Sequence, residues 1–165
     1  MKDKDKGPPS GEDIDLNILG ILSKNSRVNY NQIALKLGNS PVTIKKHVEE
    51  LEQKGVIKGY GIDINFEKLG YDIIATIEVT VSKGKMIEVE TDIAENPNVF
   101  GVYDITGDYD ALVFARFKTR TELSAMIKKL HSSPYVERTN THLILKVIKE
   151  GSSFVELLEK EKSNK

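Results

Sequence analysis

Apolar residues recur at helical spacing along the first third of the chain. Ile14, Ile18 and Ile21 fall on one face of the first such segment, which predicts an amphipathic helix. Two further segments with helical patterns follow it. We therefore predict a helical domain over residues 12–55, and we interpret the polar residues 1–11 before it as a disordered tail.

The second and third segments together predict a helix-turn-helix. Such a unit joins two helices by a short turn that often contains glycine. Ala34 is small enough to let the next helix approach, and Gly38 tolerates a positive φ at the bend. Ile44, Val48 and Leu51 form the apolar stripe that packs the last helix against the others.

The outer face of this last helix is the predicted DNA-binding surface. Ser40 suits the N-cap and Pro41 the first helical position, so the start of the helix is well marked. The N-terminal residues of a recognition helix contact base edges, while the preceding helix crosses the DNA backbone. The predicted contacts are Arg27, Asn29, Ser40, Pro41, Val42, Thr43, Lys45, Lys46 and His47. An ordinary packed helix pair with a solvated outer face is the alternative.

The pattern changes after this domain. Residues 56–71 contain several glycines and are interpreted as a hinge strand, or short wing, and linker. Residues 72–150 then predict strands with alternating apolar positions and two helices, in the order βαββαβ, which is ferredoxin-like and α+β. The predicted strands are 73–81, 99–106, 111–117 and 136–149, with helices at 85–96 and after Thr119. Residues 151–165 form a charged C-terminal tail that can add a short helix.

One face of the predicted sheet is left uncovered by its two helices. Tyr103, Ile144 and Ile148 can lie on that face. Because an exposed apolar patch usually marks a partner site, we expect homodimerisation through the sheets. The alternative is that these residues pack under the helix of the C-terminal tail.

Composition and charge limit where the protein is expected to be located and how strongly one copy is expected to attract DNA. Of its 165 residues, 30% are charged and 39% hydrophobic, and none is cysteine. No apolar run reaches the roughly 18 residues that a membrane span needs, and no secretory signal is present, so a cytoplasmic location is expected. A net charge of −1 gives little general attraction for phosphate, so pairing of two copies on a palindromic site would strengthen DNA binding.

The sequence offers no set of catalytic or metal-binding residues. It has no glycine-rich nucleotide loop, and His47, His131 and His142 lack metal-ligand spacing. The aspartates of residues 104–110 lack the glutamate that ends a calcium loop. We therefore predict no enzymatic activity, no metal site and no cofactor.

Several short motifs combine into the pattern of one family. They lie at residues 14–22, 27, 33–38, 40–41, 51–60, 99–110 and 139–141. Together they resemble the Lrp/AsnC (feast/famine) family of transcription regulators over about residues 14–149. Asn39 departs from the family pattern, which usually has leucine before the Ser-Pro pair.

The resemblance implies a sequence-specific regulator of transcription that binds double-stranded DNA. Residues 72–150 would then bind a small effector, usually an amino acid, and would also mediate oligomerisation. Members of the family pair as dimers that commonly assemble into octamers, with effectors in clefts between dimers. Effector binding alters assembly or DNA affinity.

The turn at residues 107–110 resembles the effector-site turn of the family. Asp108 or Asp110 can accept from the ammonium group of an amino acid, while backbone N–H groups of the turn take its carboxylate. The implied effector residues are Gly107, Asp108, Tyr109, Asp110, Thr139 and Thr141. A plain hairpin is the alternative, since glycine and aspartate are common turn residues.

Two other functions fit parts of the pattern. The first is an architectural protein that wraps DNA without any ligand, which little sequence preference in DNA binding would favour. The second is an enzyme like the sirohaem decarboxylases, which resemble this family in architecture; a tetrapyrrole bound to the purified protein would favour it. The modest histidine and arginine content of the C-terminal half speaks against the enzyme.

Overall fold

The computed structural model describes residues 11–82, 84–151 and 154–163. The predicted disordered tail, residues 1–11, lies outside the described residues except for Gly11. The chain divides into two compact units. The first contains the chain up to Asp63 together with the residues from Glu150 onward, and the second is Ile64–Lys149.

The described part of the first unit is helical. Its helices are α1 (Gly11–Lys24), α2 (Tyr30–Leu37), α3 (Pro41–Gln53) and α6 (Phe154–Ser163), numbered in chain order. Asn29 starts α2 with a capping box, in which its side chain accepts from the Gln32 N–H at 2.9 Å. Gly38 ends the same helix with a φ of 67°, in the left-handed region that glycine favours.

The core of the first unit joins α1, α2 and α3. Ile18, Ile33, Ile44 and Val48 are completely buried there, and Leu51 is nearly so. Burial of each such side chain contributes about 1.5–3 kcal/mol of transfer free energy. The apolar stripe predicted on α3 is thereby confirmed.

The C-terminal helix α6 packs on α1. Leu158 of α6 is buried, and its Cδ1 lies 3.9 Å from the place that a Cβ would occupy at Gly20. The predicted helix in the tail is confirmed. Tyr103 and Ile148 of the second unit are 56% and 83% exposed.

No strand forms within residues 56–71 of the described structure. Residues 58–65 have no regular secondary structure and make no backbone–backbone hydrogen bond to described residues, and a short 3₁₀ helix follows at Glu67–Leu69. A strand forms only by pairing with another strand. The predicted hinge strand is therefore not formed in the single chain.

The second unit is a four-stranded antiparallel sheet with two helices on one face. The strands are β1 (Ile73–Val81), β2 (Val99–Asp104), β3 (Ala111–Phe117) and β4 (Val136–Leu143), in the order β2-β3-β1-β4. The helices are α4 (Met86–Ala94) and α5 (Arg120–Ser132). This order confirms the predicted ferredoxin-like βαββαβ arrangement.

Two predicted strands end earlier than expected. β4 stops at Leu143 instead of residue 149, and β2 stops at Asp104 instead of residue 106. The N–H of Ile144 still donates to the Ile74 carbonyl at 2.9 Å, but β1 begins at Ile73 and offers no further partner. The apolar residues within 145–149 therefore do not extend the sheet.

The core of the second unit lies between the sheet and its helices. Alternate residues of β1 and β3 are buried on that side, as the period-two pattern predicted. They meet Val89 and Ile93 from α4 and Leu123, Met126 and Leu130 from α5. None of the helices in the described part of the chain is long and apolar enough to cross a membrane.

Candidate nucleic-acid interface and effector turn

The start of α3 is fixed by its own side chains. The Ser40 hydroxyl accepts from the Thr43 N–H at 3.0 Å, and the two hydroxyl oxygens lie 2.8 Å apart. The Thr43 hydroxyl therefore takes part in the cap as well as facing outward. Pro41 and Val42 are exposed at the first helical turn, where a recognition helix meets base edges.

Two adjacent lysines give the outer face its positive charge. The Lys45 and Lys46 side chains are 59% and 77% exposed. Each lies one turn before a glutamate, at 3.6 Å for Lys45–Glu49 and 3.9 Å for Lys46–Glu50. Exposed pairs of this kind contribute about 0.3–0.5 kcal/mol, so both ammonium groups can exchange their partners for phosphate.

His47 is placed differently from the lysines. Its Nδ1 lies 2.6 Å from Asp15 Oδ1 on α1, and only 21% of its side chain is exposed. Of the residues predicted to contact DNA from α3, His47 is therefore the one that is directed toward α1.

The residues before α2 have mainly local hydrogen bonds. The Asn29 side chain is engaged in the capping box, while the Arg27 side chain is exposed and its backbone N–H donates to Asn25 Oδ1 at 3.0 Å. Asn39, which departs from the family pattern, donates from its side-chain amide to the Leu37 carbonyl at 3.0 Å. The amide thus satisfies a carbonyl at the end of α2, which compensates for the apolar contact of a leucine.

Tyr60, in the segment that follows α3, is connected to the second half of that helix. Its hydroxyl donates to Glu52 Oε1 at 2.7 Å. Burial, followed by this hydrogen bond and the Glu52 charge, raises the pKa of Tyr60 to about 12. The tyrosine therefore remains a neutral hydrogen-bond donor at physiological pH.

The turn at residues 107–110 is attached to β1 through Asp110. The Val81 N–H donates to Asp110 Oδ2 at 2.8 Å, and the Asp110 N–H donates to the Val79 carbonyl at 3.0 Å. Gly107 has a φ of 129°, which a residue with a Cβ rarely adopts. One oxygen of Asp110 therefore has a structural partner, while the Asp108 side chain is exposed.

Arg138 lies against this turn and was not predicted from the sequence. Its guanidinium carbon is 4.5 Å from the centre of the Tyr109 ring, within the range of a cation–π interaction. Among the described residues, Arg138 makes no ion pair. Its position in β4, opposite Thr80 of β1, depends on strand pairing that the local sequence does not reveal.

The two threonines of β4 face the helices. Thr139 and Thr141 pair with Val79 and Ile77, whose side chains are in the core beneath α4 and α5. The Thr139 hydroxyl lies 2.7 Å from His131 Nε2 on α5. Thr139 therefore lies close to the end of β1 that binds the 107–110 turn, but its hydroxyl already has a hydrogen-bond partner. Thr141 lies two residues further along β4.

A third carboxylate borders this end of the sheet. Glu90 of α4 has a buried Oε1 that makes no hydrogen bond to the described residues. Burial, followed by the charges of Asp104 and Asp110, raises the pKa of Glu90. Three carboxylates, those of Glu90, Asp104 and Asp110, are therefore close enough to influence one another at this end of the sheet.

Both units match known family models. Residues 12–58 match the winged helix-turn-helix DNA-binding model, and residues 74–154 match the Lrp/AsnC ligand-binding domain. An uncharacterized HTH-type transcriptional regulator of Pyrococcus abyssi is 40% identical over 139 residues, which are 84% of this chain and 95% of the relative. This chain belongs to the Lrp/AsnC family. It is a DNA-binding transcriptional regulator, as are the relatives, and the family does not consist of enzymes.

Other Lrp/AsnC proteins extend the comparison. The HTH-type transcriptional regulator FL11 of Pyrococcus furiosus is 38% identical, with 84% of this chain and 92% of the relative covered. The structure of AsnC from E. coli superposes with a TM-score of 0.79 at 27% identity, covering 84% of this chain and 95% of that one. A Neisseria meningitidis transcriptional regulator in complex with L-Met has the same fold, with a TM-score of 0.77, 24% identity and coverage of 93% and 96%.

Proposed function

We propose that this Lrp/AsnC regulator binds palindromic duplex DNA as a homodimer and that an amino acid at the 107–110 turn modulates this binding. The observation that carries the proposal is the outer face of α3, with a capped N-terminus followed by two exposed lysines. A helix of this kind can enter the major groove with its first two turns.

The proposed DNA contacts divide according to their chemistry. Val42 offers an apolar contact for a thymine methyl group, and Lys45 and Lys46 offer donors for bases or phosphates. Arg27 and Asn29 lie at the entrance of α2, which suits contact with the phosphate backbone. Glu49 and Glu50 follow the lysines by one turn, so we infer that the second half of α3 points away from the DNA.

A dimer is supported by the uncovered face of the sheet. There the Phe114 ring lies 6.0 Å from the Phe100 ring and 5.8 Å from the Tyr103 ring, measured between centroids. Phe100 and Tyr103 are both exposed, so this aromatic cluster remains in contact with water in a single chain. A second copy of the same face would bury it.

Phe114→Glu is expected to weaken the dimer at least about 100-fold, because an unpaired carboxylate in an apolar interface costs several kcal/mol. Sedimentation velocity over a concentration series measures this change, and circular dichroism checks the fold. Ile87→Glu on α4 is the matched control, since Ile87 is an exposed apolar residue away from the sheet. A Phe114→Glu protein that sediments like the wild type would exclude this face as the interface.

An amino-acid effector is supported by the charges around the 107–110 turn. The ring of Tyr109 supports the Arg138 guanidinium on one side, which leaves its edge available for a bidentate contact with a carboxylate. Asp108, whose side chain is exposed in the same turn as Tyr109, can attract an ammonium group. A zwitterion presents both groups on one carbon atom.

Thermal unfolding with each of the twenty amino acids at millimolar concentration tests the effector. A ligand present at about 100 times its Kd adds roughly 2.7 kcal/mol to the free energy of unfolding, which raises the midpoint visibly. For an amino acid that does so, Arg138→Ala should raise the Kd at least about tenfold, because charge-assisted hydrogen bonds are lost. Arg120→Ala, an exposed arginine on α5, is the control.

A uniform absence of shifts would favour the architectural alternative. That function also predicts similar affinity for selected and unrelated duplexes. If the protein instead prefers certain DNA sequences but responds to no amino acid, the proposal of a sequence-specific regulator is retained and the proposal of an amino-acid effector is rejected.

A further inference from the structure

We propose that Asp15 is a positioning residue for DNA binding: through His47 it fixes the orientation of the recognition helix α3. Asp15 lies on α1 and His47 on α3, separated by 32 positions in sequence. Asp15 Oδ1 and His47 Nδ1 are 2.6 Å apart, a short distance typical of a charge-assisted hydrogen bond.

The pair is sheltered, unlike the other ion pairs of α3. The side chains of His47 and Asp15 are 21% and 26% exposed, whereas the two lysine–glutamate pairs on the outer face are at least two-fifths exposed on both sides. Polar interactions strengthen as water is excluded. The Asp15–His47 bond is therefore better able to hold two helices in one relative position.

The other α1–α3 contacts are apolar and leave freedom that this bond removes. Ile18 of α1 and Val48 of α3 belong to one core cluster, and such contacts are non-directional. A hydrogen bond, by contrast, requires a defined distance and angle. Lys45 and Lys46 immediately precede His47 in α3, so a rotation of the helix that breaks the bond also displaces both lysines.

The bond also determines which role His47 has. An ionised carboxylate only accepts hydrogen bonds, so we assign the proton to Nδ1, and the bond keeps the ring against α1. On this proposal His47 contributes to DNA affinity through the helix it holds. A direct contact between His47 and DNA is the competing interpretation, and the two differ in how they depend on Asp15.

The experiment uses the full-length chain and two DNA probes. One is a duplex selected by the wild-type protein from a random library, and the other is a scrambled duplex of equal length. Asp15→Ala and His47→Ala should each weaken binding to the selected duplex about tenfold, as expected for loss of one charge-assisted bond, and leave the scrambled duplex within about twofold. The double variant should be no weaker than the weaker single variant, because both changes break one bond.

Conservative variants separate positioning from general stability. In His47→Asn the side-chain amide can donate from nearly the position of Nδ1, so binding should be restored to within about threefold of wild type. Asp15→Asn keeps an acceptor oxygen and should behave similarly. Asp15→Leu, which has no acceptor, replaces Asp15→Ala if that variant is unfolded at the assay temperature. Asp13→Ala, which removes an exposed carboxylate from the same helix, is the charge-matched control.

A spectroscopic measurement completes the test. The ¹⁵N chemical shifts of the His47 ring should report a protonated Nδ1 in the wild type and a changed Nδ1 environment in Asp15→Ala. The proposal is overturned if the folded Asp15→Ala protein binds the selected duplex like the wild type. It is equally overturned if His47→Ala loses binding, Asp15→Ala does not and His47→Asn fails to rescue, since His47 then contacts DNA directly.

Discussion

Replacing Lys45 and Lys46 together by alanine should lower the affinity for a selected duplex about 100-fold, since each base or phosphate contact contributes about 1–3 kcal/mol. Both side chains are more than half exposed on the outer face of α3, and their glutamate partners lie 3.6 and 3.9 Å away. Loss of these weak pairs has little effect on folding, so the change should appear in binding alone.

The salt dependence of binding provides an independent measure of the same contacts. Each phosphate contact contributes about 0.9 to the slope of log affinity against log salt concentration, so the double variant should lose up to about two units of slope. Fluorescence anisotropy at several salt concentrations gives both values. Lys128→Ala/Lys129→Ala removes two adjacent lysines from α5 in the other unit and is the matched control. If slope and affinity remain those of the wild type, another surface binds DNA.

Phe117→Ala should produce the largest loss of stability in the second unit, with the free energy of unfolding lowered by about 3–5 kcal/mol. Phe117 ends β3 and is the bulkiest of the completely buried side chains in the described part of the chain. Truncation leaves a cavity beneath the helices that neighbouring core residues cannot fill. Because domains have total stabilities of about 5–15 kcal/mol, much of the second unit's stability would be lost.

Urea unfolding followed by circular dichroism measures this loss. Leu145→Ala is the control, since Leu145 is 98% exposed and surface substitutions usually change stability by less than about 0.5 kcal/mol. A loss below about 1 kcal/mol for Phe117→Ala would show that this corner of the core can repack. If the 107–110 turn depends on the sheet that holds it, Phe117→Ala should also weaken the binding of an amino acid.

The elements that could be predicted from the sequence are those fixed by local patterns. Ser40 and Pro41 mark the start of α3 through interactions with residues a few positions away. Alternation along β1 reveals its buried face because successive side chains of a strand point to opposite faces of the sheet. The position of His47 at the edge of the apolar stripe of α3 also follows from helical spacing.

The features that could not be predicted depend on partners distant in the sequence. No local pattern indicates that His47 meets Asp15 or that Arg138 reaches Tyr109, because both contacts require the packed helices or the paired strands. The end of β4 has the same cause: Leu145, Val147 and Ile148 are still apolar, but the partner strand has already ended. Similarly, residues 58–65 have no strand to pair with in one chain.

The position of α6 has a consequence for the synthesis of this protein. α1 to α3 leave the ribosome before the second unit, but the helix that packs against Gly20 of α1 contains Leu158 and follows that unit in the chain. The DNA-binding unit therefore acquires this helix only after all of the second unit has been synthesised. A stop codon before Phe154, although distant in sequence, would act on the part of the protein that meets DNA.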